Sequence, residues 1–233
     1  MKYEDILKKL KSMSDPEAVK GMARYGINPH NNFGVSIYKL RPLAKEIGNN
    51  HQLALKLWDS GIHDARLLAV FVDIPAQITS EQMDSWAKDF DSWDVCDQAC
   101  TSLFDLTPFA WIKVFEWAER EEEFVKRAAF SLVAGLAVHD KKASDREFEK
   151  IFPSIKKHSI DERNYVKKAV NWALRNIGKR NSSLNKKAVE TAKEIQKIDS
   201  KSARWIASDT IRELTSEKIQ LKISKKEKKR KPK

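Results

Sequence analysis

The chain has 233 residues, 41% of them hydrophobic, with seven Trp and ten Phe against only seven Gly and seven Pro. That supplies core material for one sizeable domain or a repeat array, and too few turn residues for an all-β sandwich or barrel. The net charge is +11, but Lys222 to Lys233 holds eight Lys or Arg against Glu227 alone, so the tail carries +7 and residues 1–221 only +4.

That distribution separates a single helical domain, expected over residues 1–221, from a Lys-rich tail, 222–233, expected to be disordered. Within the body, any surface for a polyanion must come from clustering basic groups on one face. The start, Met1-Lys2-Tyr3-Glu4-Asp5, is acidic and lacks an apolar leader stretch, and no run approaches the ~20 residues of a membrane span. A soluble, cytosolic protein with no membrane partner is expected.

In chain order, helical periodicity appears at Ile6-Leu7-Leu10-Met13, Leu53-Leu55-Leu57-Trp58, Leu67-Leu68-Val70-Phe71 and Ile151-Ile155. Breakers at Asp15-Pro16, Asn28-Pro29, Gly48-Asn49, Gly61, Ile74-Pro75, Thr107-Pro108 and Gly178 divide the chain into helices of roughly 10 to 18 residues. Residues 26–34, GINPHNNFG, form the one loop rich enough in Gly, Pro and Asn to be more than a connector. Nothing alternates with period two for long enough to suggest a sheet.

Five eight-residue windows align: HDARLLAV from His63, DVCDQACT from Asp94, FVKRAAFS from Phe124, YVKKAVNW from Tyr165 and KSARWIAS from Lys201. Their fourth column reads Arg66, Asp97, Arg127, Lys168, Arg204, at steps of 31, 30, 41 and 36 residues, near the two-helix periods of solenoids. The fold expected is all-α, a helical-repeat solenoid with a concave groove, which needs no second subunit and is taken as a monomer. A column of cations along that groove suits the phosphates of a duplex. Asp97 is the exception, since an acid there repels phosphate.

On a helix, Trp93 and Asp97 lie at i and i+4, on one face about 6 Å apart. Lys168, Trp172 and Arg175 gather in the same way on the segment from Tyr165 to Asn176. Each has a plain structural alternative: a core indole, or an ion pair between Asp97 and Arg127. Cys96 and Cys100, four apart on a helix, are poorly placed to bridge and are expected to be reduced, buried, small apolar residues. The five His, at positions 30, 51, 63, 139 and 158, show no ligand spacing and are read as structural or solvated.

The ordered set Trp93-Asp94-Val95-Cys96-Asp97, then Arg127-Ala128-Ala129, then Lys168-Ala169-Val170-Asn171-Trp172-Ala173-Leu174-Arg175 resembles the DNA alkylation repair family of alkylpurine DNA glycosylases, the AlkD-like proteins built from HEAT-like repeats. Met22-Ala23-Arg24-Tyr25 and Phe33-Gly34-Val35 resemble it too, and the similarity spans roughly residues 3 to 215. The loop at 26–34, with Pro29 and His30, looks different from the better-known members.

The resemblance implies a HEAT-like fold, double-stranded DNA carrying cationic N3- or N7-alkylated purines as the partner, and cleavage of the N-glycosidic bond without base flipping. It implies no cofactor and no metal. Carried over by position, the carboxylate falls on Asp97, the two indoles on Trp93 and Trp172, and the arginine that grips the backbone on Arg127. Lys168, Arg175, Arg66 and Arg204 are further candidates for contacts to DNA, and Tyr25 is the aromatic expected to approach it. Two other readings of the same residues are a non-catalytic protein that recognises distorted or branched DNA, and a protein-binding helical scaffold.

Overall fold

Several helices begin with a side-chain cap. Asp15, Asn50, Thr79, Asn181 and Ser200 each stand just before a helix and accept a hydrogen bond from the backbone N–H three residues on, at 2.9–3.2 Å. Each such cap satisfies a donor the helix cannot and contributes about 1 kcal/mol.

In the computed structural model, which describes residues 1–230, the first helices are α1 (Tyr3–Ser12), α2 (Pro16–Arg24), α3 (Ile37–Ile47), α4 (His51–Asp59), α5 (His63–Val72), α6 (Ser80–Lys88) and α7 (Trp93–Ser102). They are followed by α8 (Ala110–Ala118), α9 (Glu123–His139), α10 (Asp145–Glu149), α11 (Phe152–His158), α12 (Asn164–Gly178), α13 (Ser182–Gln196), α14 (Lys201–Leu214) and α15 (Glu217–Arg230). Among the described residues there is no strand, and no helix is long and apolar enough to cross a membrane. The all-α expectation holds. The contacts divide the chain into two compact units, Met1–Trp111 and Ile112–Lys233.

In the first unit α4 pairs with α5, and α5 is flanked by α3 and α7. Its core is aromatic. Trp58 and Trp86 stack at 3.9 Å with planes 2° apart, Phe90 meets Trp58 edge-on at 5.9 Å, and Phe104 lies 6.1 Å from Trp86. Such ring pairs add about 1 kcal/mol each beyond the area they bury. The Trp58 indole N–H still finds a partner, Asp89 Oδ2, at 2.9 Å.

The second unit is built on α9, buried without interruption from Val125 to Ala137. A helix buried on every side must be covered by its neighbours, and α12 lies along it, with α13 and α14 packed against α12. At α9's end Arg180 donates at 2.9 Å to the Ala137 carbonyl, and at 3.4 Å to that of Leu136, which also accepts the Asp140 N–H at 3.0 Å. Its guanidinium also covers the Phe148 ring at 4.1 Å. Gly178 permits the approach of α14: a Cβ there would stand 2.4 Å from Leu214 Cδ1.

Residues 222–230, expected to be disordered, belong instead to α15. Ile219 and Ile223, one turn apart, are both buried. Glu227 accepts from the Ser182 N–H at 2.8 Å and Lys226 donates to the Lys179 carbonyl at 3.0 Å. Net charge conceals this anchorage, because two apolar residues and one acid suffice to dock a helix that is otherwise rich in Lys. Residues 231–233 of the expected tail lie outside the described residues.

Candidate nucleic-acid interface

The aligned windows mark equivalent places. Arg66, Asp97, Arg127, Lys168 and Arg204 are the fourth or fifth residues after the N-caps of α5, α7, α9, α12 and α14. Neighbouring helices of this set pack on one another: α5 on α7 in the first unit, α9 on α12 and α12 on α14 in the second.

In the first unit the 26–34 loop builds the site. Ser92 does not cap its own helix; its hydroxyl accepts from the Asn28 N–H at 2.8 Å, and the Asn28 amide donates to Asp91 Oδ2 at 2.7 Å. Trp93 Nε1 donates to the Tyr25 carbonyl at 3.0 Å. At the loop's other end both carboxylate oxygens of the fully buried Asp64 accept backbone N–H groups, from Phe33 at 2.6 Å and Val35 at 2.7 Å. Gly34 between them has φ 74° and stands so close to α2 that a Cβ would lie 2.4 Å from the Asp15 carbonyl, a combination only glycine tolerates.

Tyr25 is 78% exposed beside the pinned indole. Trp93 and Asp97 are both half-buried, one turn apart on α7. The inner stripe of that helix is Val95, Cys96, Ala99 and Cys100, all buried. The two cysteines are unbridged, as expected. Burial first, then the hydrogen bond with Cys96 and the nearby charges of Cys96, Asp97 and Asp105, push the Cys100 thiol well above its ordinary range, so it is an unreactive packing group.

His63 joins α5 to α7 through Nε2, 2.9 Å from Asp94 Oδ2. Burial pulls its pKa down, but the Asp94 hydrogen bond and the charges of Asp94, Asp64 and Asp91 outweigh that, and the net direction is up. His51 pairs with Asp73 at 2.7 Å and His158 with Glu119 at 3.4 Å. These three His are therefore structural, in line with the sequence reading. Among the described residues no three His, Cys, Asp or Glu are grouped to hold a metal ion.

Several candidate cations are already occupied. Arg66 covers the Trp58 ring at 5.2 Å and donates to the Asp89 carbonyl at 2.9 Å. Arg127 is only 6% exposed and donates to the Tyr165 carbonyl at 2.7 Å, tying α9 to the first turn of α12. Arg175 bridges Asp209 at 2.9 Å and Glu213 at 3.0 Å on α14, and Arg204 pairs with Asp199 at 2.8 Å. Lys168 is exposed, and one turn further along the same face of α12 Trp172 is half-buried.

Thus the first unit brings together Tyr25, Trp93 and Asp97, and the second aligns Lys168 with Trp172. One residue the sequence reading missed is Arg41 on α3, whose guanidinium donates to Gln98, the neighbour of Asp97, at 3.2 Å while covering Phe71 at 4.7 Å. It lies outside the five windows, and no local signal marks it.

The chain is 21% identical over 201 residues to an uncharacterized protein of Listeria innocua, covering 84% of this chain and 87% of that one. A counterpart in Listeria monocytogenes is 22% identical over the same coverage. Among solved structures, one described as a new family of proteins related to the HEAT-like repeat DNA glycosylases with affinity for branched DNA structures superposes with a TM-score of 0.76. It shares 20% identity and covers 91% of this chain and 95% of its own, so the two have the same HEAT-like repeat fold. A profile of the DNA alkylation repair enzyme family matches residues 6–214, and the protein belongs to that family.

Proposed function

We propose that the protein is a monofunctional alkylpurine DNA glycosylase that hydrolyses the N-glycosidic bond of cationic alkylated purines in duplex DNA, 3-methyladenine and 7-methylguanine among them, without extruding the base. The observation that carries this reading is the pair on α7: a carboxylate at Asp97, half-exposed, one turn from an indole whose N–H is tied to Tyr25. Membership in the DNA alkylation repair enzyme family supports alkylated DNA as the substrate.

An alkylated purine is positively charged and leaves with the bond's electron pair as a neutral base, so no strong general acid is needed. C1′ of the sugar acquires oxocarbenium character, water adds there, and the water's proton passes to Asp97 or to solvent, leaving an abasic sugar. A carboxylate about 4 Å from the developing charge, at an effective dielectric near 20, is worth on the order of 4 kcal/mol, roughly three decades of rate as an upper guide. Trp93 presents an aromatic face that attracts the same positive charge, at about 1 kcal/mol. Lys168 offers an ammonium for a phosphate.

The test is release of methylated base from alkylated duplex DNA. Asp97→Asn is expected to lower single-turnover excision by two to three decades, on the order of the estimate above, with DNA affinity kept or raised because a phosphate-repelling charge is gone. Excision unchanged in that variant removes Asp97 from the mechanism.

A second reading is favoured by the solved structure of the same fold, described as having affinity for branched DNA structures. On that reading the protein binds interrupted or branched DNA and turns nothing over. Tight binding to branched DNA with no base release from methylated duplex under single-turnover conditions selects it.

A further inference from the structure

Trp205 stands on α14 next to the column residue Arg204, with its side chain 42% exposed. Facing it from α12, Lys167 holds its ammonium 5.9 Å from the centroid of the indole, within reach of cation–π attraction. Lys168 follows on α12 and Lys201 lies one turn before Trp205 on α14, and both are exposed. Arg204 is paired with Asp199, but that carboxylate is 99% exposed, so the pair is weak and readily exchanged for a phosphate. Glu162 borders the patch and is committed to α14's first turn, accepting from Ser200 Oγ at 3.0 Å and from the Ser202 N–H at 3.1 Å.

An exposed indole with one ammonium over it and further lysines on the same two helices suits a ligand that combines a flat face with negative charge. Fully paired DNA offers phosphates, but its base faces are hidden in the stack, so an indole gains nothing from it. An unpaired nucleotide offers both, and stacking on an aromatic side chain is worth far more than one surface ion pair. Lys167, Lys168, Lys201 and Arg204 stand on these stretches of α12 and α14, and Asp209, one turn after Trp205, is taken up by Arg175 and Arg212, which favours a polyanion over a protein surface.

We propose that Trp205 is a stacking platform for an unpaired base, with Lys167, Lys168 and Lys201 taking the adjoining phosphates. The protein thereby holds DNA where pairing is interrupted, at a bulge or at the unpaired centre of a junction. This rests on the DNA-binding part of the function above and is independent of catalysis.

The experiment measures affinity of the full chain, by fluorescence anisotropy, for a linear duplex and for the same duplex carrying a three-nucleotide bulge. Trp205→Ala is expected to weaken binding to the bulged DNA about tenfold or more, with the linear duplex changed less than about twofold, and Trp205→Phe to keep most of the preference. Lys168→Ala is expected to weaken both DNAs and to reduce the salt dependence of binding. Because Trp205 is partly exposed, the variants should keep the helical circular dichroism and thermal midpoint of the wild type. Equal loss on both DNAs, no loss on either, or no binding of bulged DNA by the wild type overturns the proposal; a polypeptide partner competing for the indole is then the occupant to seek. Base release by the wild type from methylated linear duplex, measured in parallel, reports on the glycosylase reading separately.

Discussion

The indole of Trp93 donates its N–H to the carbonyl of Tyr25, 68 residues earlier in the chain, at 3.0 Å. That bond joins the first turn of α7 to the end of α2 and sets the plane of the ring that stands one turn from Asp97. On the glycosylase reading proposed above, the ring that flanks the sugar must be held in one orientation, and Trp93 is held through its polar edge.

Trp93→Phe separates the two roles of the residue. Phenylalanine keeps an aromatic face but has no donor, so the Tyr25 carbonyl loses a partner and stability is expected to fall by about 1 kcal/mol, the usual worth of such a bond. Base release should fall further than that loss implies, by roughly tenfold, since a ring displaced by an ångström no longer sits against the sugar. Urea denaturation and single-turnover excision on the same samples give both numbers. A rate unchanged in the face of the stability loss means that the bond serves the fold alone.

The parts of this arrangement that were legible in the sequence are those set by local rules. Asx and Ser caps, Pro and Gly breakers and the 3.6-residue period mark the helices, and the charged column lands about one turn inside α5, α7, α9, α12 and α14. Long-range commitments were not legible. Arg66 and Arg175 look like phosphate ligands in sequence, yet one is absorbed by Trp58 and Asp89 and the other by Asp209 and Glu213. Nor does anything local tell that Asp64, in the first turn of α5, clamps the backbone of Phe33 and Val35 with both of its oxygens.

The junction of α5 with α7 is expected to respond to pH through His63. Its pKa is raised in the folded protein, the acids Asp94, Asp64 and Asp91 outweighing burial, so its charged form is favoured by folding. A raised pKa contributes stability that is fully present below the unfolded value of about 6.5 and is lost as pH rises through the folded value. His63→Gln keeps a donor for Asp94 but removes the charge. It should therefore cost more stability at pH 6 than at pH 8.5, read from urea unfolding at the two values. A wild-type advantage that is the same at both assigns the contact to hydrogen bonding and packing only.

The docking of α15 leads to a last expectation, one in which a helix and a disordered tail behave differently. Ile219 and Ile223 are buried, and Gln220 donates to the Leu214 carbonyl, so the C-terminal helix continues the second unit's packing. Ile223→Ala should cost about 2 kcal/mol, the lower end for a buried isoleucine, because α15 is covered on one face only. The same substitution should speed trypsin cleavage after Lys218, Lys222 and Lys225, since proteolysis follows the population of the opened helix. Mass spectrometry of timed digests shows it directly. A detached tail is cut at once in the wild type, and Ile223→Ala then changes neither the digest nor the unfolding midpoint.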